Sequence, residues 1–371
     1  MNNLEDILEF YKILNTFKTT DFGNDNLSYA DNIYGSMILA VAMDSEFKET
    51  NDLGKILRLL ILDGFYKLGL YNKLMTTNIG KYFENDFKDL YEFKSIDAYL
   101  TFKYRMIDTW LKKIINRDDN INTLLRDGRS VLGSFNTRSD NTKYDEVLKF
   151  YYYNYRLMNK VRTGWDNNHW NIKTDRRERV SEHVVSTVGL ALAMGVSFKY
   201  NIDLDKVLKI LAIHEIGEIL IGDITPFDGI TPSQKQEMEH KAMYDILGNL
   251  TDKDKLYEML LEFDTRKSME AKFAYFCDKM EADLQSKIYQ DNGMQHSLDD
   301  QKNNIVFSTS LVKQMIENGA NTAFDIWYAW DKHIYEDDKD YPEFSLLLDT
   351  AKDYKLDNNT CLRKSRTLRD K

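Results

Sequence analysis

His183, His214, Glu215, Glu218 and Asp223 fall within a stretch of apolar, helix-forming sequence, SEHVVSTVGLALAMGVSFKYNIDLDKVLKILAIHEIGEILIGDI, residues 181–224. Imidazoles and carboxylates on such a frame are the donors of a metal site. His214 and Glu215 are neighbours on one predicted helix, so their side chains diverge by about 100° and can straddle a cation at the helix edge. Glu218 follows one turn later, on the same side. His183 sits near the N-terminal end of the preceding helix, and folding has to bring it to His214. Two imidazoles and two carboxylates make an N₂O₂ donor set, suited to Mn, Fe, Co, Ni or Zn more than to Ca. A cation so held lowers the pKa of bound water, and an adjacent carboxylate can take or orient its proton. Spacing alone also admits a plainer reading. An isolated HE pair is common, a buried histidine on an apolar helix is usually a satisfied core residue, and Glu218 alone is usually a surface charge.

The elements that must position these residues are helices. The chain has 371 residues, 43% of them hydrophobic and 13% aromatic, which is enough for two cores. Three prolines and seventeen glycines leave little punctuation for a many-turned β fold. Apolar residues recur at helical spacing in 4–17, 30–47 and 53–70, with a polar loop at Thr19–Asn26. The stripe Tyr99, Phe102, Met106, Trp110 and Ile114 is expected to pack in a core or between domains. Ser134–Asp145 is polar and aperiodic, and is taken as a linker with its boundary near Asn141. Further helices are expected within 147–165, at 233–250, 253–263, 269–289 and within 303–352, the tail being frayed. TPFDGITP, with two of the prolines, reads as a substrate-facing or connecting loop.

Sliding the chain against itself by 151 residues lays Asp31–Asp63 on Glu182–His214 without a gap, with eleven identities in thirty-three positions. Among them are Leu39/Leu190, Ala40/Ala191, Met43/Met194, Lys48/Lys199 and Asp52/Asp203. Unrelated amphipathic helices share only a few, which favours a duplication. Every candidate ligand is replaced in the first copy: Asn32 stands on His183, Asp63 on His214, Gly64 on Glu215, Lys67 on Glu218 and Asn72 on Asp223. Asp127 falls on Asp278, but the flanking sequence matches poorly.

A net charge of −10 argues against broad binding to nucleic acid. A small anion would need a local basic cluster, and Lys160, Arg162, Lys173, Arg176, Arg177 and Arg179 form one in sequence; mixed with Asp166, Asp175 and Glu178 it could equally be a solvated face. Two distant cysteines, Cys277 and Cys361, suggest no disulfide and a reducing compartment. The opening MNNLEDILEF lacks a signal sequence, and no run of about 18 uncharged residues offers a membrane span. A soluble, cytoplasmic protein is expected.

Four pieces occur in order: VRTGW, RVSEH, HE(x)₂E followed by GDI, and a helix ending in CDKMEADL. Over residues 148–290 they resemble the HD-domain phosphohydrolase family, in particular its 5′-deoxynucleotidase-like branch. The resemblance implies an all-α bundle; together with the duplication it gives tandem HD-like bundles, a degenerate one at 1–140 without metal ligands and an intact phosphohydrolase domain at 141–352, followed by a polar tail at 353–371. It implies one divalent transition metal (Mn, Co, Fe, Ni or Zn, with Mg admitted) on His183, His214, Glu215 and Asp278. It also implies catalytic help from Glu218 and Asp223, and contact of Arg162 and Trp165 with a nucleotide. Arg176 or Arg179 is expected to join Arg162 in neutralising phosphate. The eponymous HD pair is here His214-Glu215, one methylene longer. The implied reaction is hydrolysis of (deoxy)nucleoside 5′-monophosphates; a nucleotide di/triphosphohydrolase or pyrophosphohydrolase, and a non-catalytic nucleotide sensor or scaffold, are the alternatives. The chain is expected to be a monomer with an internal pseudo-dimer, or a homodimer.

Overall fold

The computed structural model describes residues 2–22, 26–49, 52–135, 140–174, 176–225 and 227–357. Among these, the one sheet pairs β1 (Asp21–Phe22), within the stretch expected as a loop, with β2 (Leu27–Ser28) just beyond it. The rest is helical, the expected class. The first half comprises α1 (Asn3–Leu14), α2 (Thr16–Thr19), α3 (Tyr29–Phe47), α4 (Leu53–Lys67), α5 (Tyr71–Leu74), α6 (Asn78–Tyr82), α7 (Glu84–Glu92), α8 (Ile96–Arg117) and α9 (Ile121–Phe135). The second half begins with α10 (Asn141–Tyr155), α11 (Val180–Phe198), α12 (Leu204–Ile213), α13 (Glu218–Ile221) and α14 (Pro232–Leu247). It continues with α15 (Lys253–Thr265), α16 (Met269–Asp291), α17 (Leu298–Gln301), α18 (Ser310–Glu317), α19 (Ala323–Tyr335) and α20 (Glu343–Asp353).

The local signals that start and stop the central helices recur at the same spacing. A capping box of Ser28 and Asp31 opens α3, and Glu182 reaches back to the Arg179 N–H at the start of α11. Both helices end in a lysine in the left-handed region, Lys48 at φ 51° and Lys199 at φ 52°. Asp52 and Asp203 then cap α4 and α12 through the N–H groups of Lys55 and Lys206. Helices α3 and α11 pack on each other, as do α4 and α12. Where α4 meets α12, Gly54 faces Asp205, the residue that stands 151 positions on; a Cβ at Gly54 would lie 2.2 Å from that of Asp205, so only glycine permits the approach.

Each half sends its opening helix to the other. Helix α1 packs on α11 of the second half, whereas α10 packs on α3 of the first. Helix α11 is long and apolar enough to cross a membrane, but 83% of its apolar window is buried inside the protein, as the centre of the core. Each Val, Leu or Met it buries contributes about 1.5–3 kcal/mol.

Three expectations change. Tyr99, Phe102 and Trp110 are 46–47% exposed, because α8 turns Tyr104, Ile107 and Leu111 inward instead. The linker shrinks, since α9 continues to Phe135 and Asp140 caps α10; residues 136–139 lie outside the described residues. Of the tail, Tyr354 to Asp357 is docked, with the Leu356 N–H on Asp291 and the Tyr354 hydroxyl on Glu9, while 358–371, including Cys361, lies outside the described residues.

Candidate metal centre and its cavity

One ligand atom each from His183, His214, Glu215 and Asp278 lies within 4.8 Å of all the others. His183 comes from the first turn of α11 and Asp278 from the middle of α16. The HE pair is not within a helix as expected. Helix α12 ends at Ile213, and the turn through 214–217 runs on tighter bonds such as Ile216 N–H to the Ile213 carbonyl. The cause is local: His214 Nδ1 lies 2.8 Å from the Leu211 carbonyl, which the Glu215 N–H would take in a continued α-helix. With Nδ1 donating there, Nε2 presents a lone pair to the cluster, and this buried atom has no hydrogen-bond partner. Glu215 Oε1 is 3.5 Å from Nε2 of both histidines, so the longer side chain reaches the cluster. Asp278 Oδ1 is 2.9 Å from His183 Nε2. Two imidazole nitrogens and two carboxylates that converge around an orphaned acceptor fit a divalent cation. Without one, burial and Arg162 oppose a charge on His183, but Glu281, Asp278 and Glu215 outweigh them and push its pKa up to about 10.

His183 is held from behind by Glu281, a residue the sequence reading missed although it stands one helical turn after Asp278. Its Oε2 is 2.5 Å from His183 Nδ1, and its Oε1 accepts from the Tyr11 hydroxyl at 2.7 Å and from Lys18 Nζ at 2.6 Å. Lys18 also pairs with Glu178, which accepts the Trp165 indole N–H at 2.7 Å. A second cluster, Glu178, His183 and Glu281, has ligand geometry. It already holds Lys18, with Arg162 3.7–3.8 Å from both carboxylates, so its charge is met. The residues that hold His183 in place through Glu281 thus include two, Tyr11 and Lys18, from the first half of the chain.

Three of the four donors, His214, Glu215 and Asp278, line a cavity of about 450 Å³, the size of an ordinary small-molecule site, while His183 is fully buried behind them. Glu218 and Asp223 both line it. Burial, with the Glu215 and Asp223 charges, pushes the Glu218 carboxyl well above its usual range, and its Oε2 is buried without a partner. Asp223 accepts the Thr163 N–H at 2.6 Å. Arg162 and Trp165 are also in the wall, together with Lys235, Lys279, Trp170, Trp327 and Trp330. Trp327 carries a buried indole N–H with no partner. Ile224 and, from the TPFDGITP loop that follows it, Thr225 and Phe227 also line the cavity, Pro226 lying outside the described residues.

Arg176 and Arg179 are not there. Arg179 donates to Asp31 at 2.6 Å and to the Asn26 carbonyl, and Arg176 to Glu182 at 2.7 Å and Asp31 at 3.3 Å. Asp31 is fully buried, and besides the Ser28 N–H it accepts from two guanidiniums and Ser181. The basic run therefore divides, Arg162 going to the cavity and Arg176 and Arg179 to a contact between the halves. Trp327 and Trp330 could not be found from the motifs, because α19 lies well beyond them in sequence.

Residues 155–318 match a family model described as the HD domain. The chain is 30% identical over 149 residues to 5′-deoxynucleotidase HDDC2 of Danio rerio, which covers 40% of this chain and 71% of that protein. It is 30% identical over 151 residues to 5′-deoxynucleotidase HDDC2 of Dictyostelium discoideum, covering 38% of this chain and 77% of that one. With 5′-deoxynucleotidase HDDC2 of Homo sapiens it shares 31% over 138 residues, 37% of this chain and 64% of that protein. Because the matched region contains all four converging donors, and one such relative is matched over most of its length, the chain belongs to the HD-domain family.

Proposed function

We propose that this chain is a metal-dependent 5′-nucleotidase that hydrolyses (deoxy)nucleoside 5′-monophosphates to nucleoside and phosphate. The four-donor cluster at the floor of a tryptophan-walled cavity carries the proposal, and relatives named 5′-deoxynucleotidases support the monophosphate. His183, His214, Glu215 and Asp278 would hold one divalent transition cation (Mn, Co, Fe, Ni or Zn, with Mg admitted). Such a cation polarises water for attack near neutral pH and offsets phosphate charge. Glu218, whose carboxyl is pushed well above its usual range by burial and by the Glu215 and Asp223 charges, would serve as the acid/base group at the leaving 5′-oxygen. Asp223 orients water or that oxygen, while its bond to the Thr163 N–H fixes its rotamer. Arg162, in the cavity wall beside His183, neutralises the phosphate. Trp165, Trp170, Trp327 and Trp330 receive the base, and the free Trp327 N–H donates to an acceptor on it.

In this proposal residues 141–352 are the phosphohydrolase unit, and 1–140 a degenerate companion that has lost its ligands. The chain is then a soluble, cytoplasmic monomer with an internal pseudo-dimer, or a homodimer. Phosphorus NMR on metal-loaded protein tests it: dAMP should yield inorganic phosphate, and His214→Ala should lose metal and hydrolysis together. An unchanged rate in that variant would sink the assignment. Pyrophosphate or triphosphate from dATP or a guanosine polyphosphate, with dAMP untouched, would make it a di/triphosphohydrolase or pyrophosphohydrolase. Nucleotide binding without bound metal would make it a sensor or scaffold.

A further inference from the structure

The first half has a cavity of its own, about 260 Å³, between α4, α7 and α8. Its residues stand where those of the metal cavity stand. Asp63 and Lys67 precede His214 and Glu218 by 151 residues, and Phe93, Phe102, Arg105 and Thr109 precede Arg266, Tyr275, Asp278 and Ala282 by 173. The second spacing also relates Ser95, the cap of α8, to Ser268, the cap of α16, and the left-handed Phe93 to the left-handed Arg266. Asp108 lies one turn after Arg105, as Glu281 does after Asp278. It accepts from Asn32 at 2.7 Å and from the Tyr151 hydroxyl at 2.7 Å, as Glu281 meets His183 and Tyr11. The same frame has therefore been refitted.

In place of a metal it has a guanidinium. Arg105 is bonded to Asp63 and, at 2.9 Å, to Asn32, the counterparts of the two histidines. The carboxylates that would repel an anion are gone. The one carboxylate in the wall, Asp63, is already paired to Arg105, while Lys67 adds an exposed ammonium at the rim. With Asp63 and Arg105 offsetting each other, Lys67 leaves the recess one net positive charge on a chain of net charge −10. Around it Tyr66, Phe93 and Phe102 are 45–53% exposed, and Tyr66 lies 4.0 Å from Tyr91 between ring centroids. Exposed rings beside fixed cations match a ligand with a planar ring and an acidic group.

We propose that this recess binds a nucleoside 5′-monophosphate without metal and without hydrolysing it, the phosphate on Lys67 and Arg105 and the base among Tyr66, Phe93 and Phe102. It does not depend on the second-half cavity being a nucleotidase. The test is calorimetric titration of the chelator-treated full chain with dAMP, deoxyadenosine and inorganic phosphate. dAMP should bind with one site and at least tenfold more tightly than either fragment. Lys67→Glu and Phe102→Ala, both at exposed positions, should each weaken it at least tenfold while metal-dependent turnover of the loaded enzyme stays unchanged. Absence of dAMP binding to metal-free protein, insensitivity to both substitutions, or equal affinity for phosphate alone would each overturn it. Activity of the metal-loaded parent is read separately, so failure here is distinguishable from failure of the nucleotidase proposal.

Discussion

Replacing Lys18 with methionine tests whether the first half helps build the metal centre. Lys18 is buried between Glu178 and Glu281, 2.6 Å from the latter, and also donates to Gln285 at 2.9 Å. Burial opposes its charge, but Glu178 and Glu281 outweigh it and raise its pKa above the ordinary lysine value, so it is an ammonium throughout the neutral range. Methionine keeps most of the volume and leaves two buried carboxylates without their shared cation. Breaking such a pair costs about 3–5 kcal/mol. At about 2.1 cal/mol/K per residue, 371 residues unfold with an entropy near 0.8 kcal/mol/K, so Tm should fall by about 5 °C. Glu281 would also be freer to leave His183, and loss of such support usually lowers metal affinity by about 10–100-fold. Differential scanning calorimetry of the metal-free protein and cobalt titration read the two effects. Lys12→Met, which breaks a partly exposed pair with Asp357, should change stability by at most about 1 kcal/mol. If Lys18→Met melts within a degree of the parent and binds cobalt as tightly, the first half is not part of the centre.

Glu215→Asp restores the family's usual pair but withdraws the carboxylate by about 1.5 Å, one C–C bond. Since Glu215 Oε1 already stands 3.5 Å from both imidazoles, cobalt affinity should fall at least tenfold, measured by chelator competition; tighter binding would show that the site is built for the shorter residue. Asp331 faces Asp283 in the core beside the cavity. Burial, helped by Asp278 and opposed by Lys279, pushes Asp331 up to about 6. Between its unfolded value near 4 and pH 6 the folded chain keeps a proton that the unfolded chain releases, so stability falls as pH rises through that window. Asp331→Asn should therefore stabilise by on the order of 1–3 kcal/mol at pH 7.5, with the gain shrinking towards pH 4. A gain independent of pH would show that Asp331 is not protonated in the fold.

The central helices were legible in the sequence because their boundaries are set by local chemistry: serine and aspartate caps, left-handed lysines, and runs of apolar residues at helical spacing. His183, His214, Glu215 and Asp278, which the fold brings together, could be named because each lies in a short motif that resembles the family's. What failed depended on which neighbour a residue meets. Phe102 and Trp110 are as apolar as core residues, yet α8 offers its other face to the interior. Arg176 and Arg179 are chemically equivalent to Arg162, and only the burial of Asp31 from a helix about 145 residues earlier diverts them. The 151-residue spacing was visible where sequence was retained; the 173-residue spacing was not, because at those positions Arg105 and Asp278 keep the place and not the chemistry.

The exchange of opening helices has a consequence for how the molecule comes into being. Tyr11 meets Glu281 across 270 residues, and Tyr354 meets Glu9 across 345. During synthesis at about 5–20 residues per second, α1 emerges first and waits for most of the polypeptide before its partner surfaces exist. Pairings so distant in sequence slow the search for the native state, and they leave the nascent amino-terminal segment a natural client for chaperones.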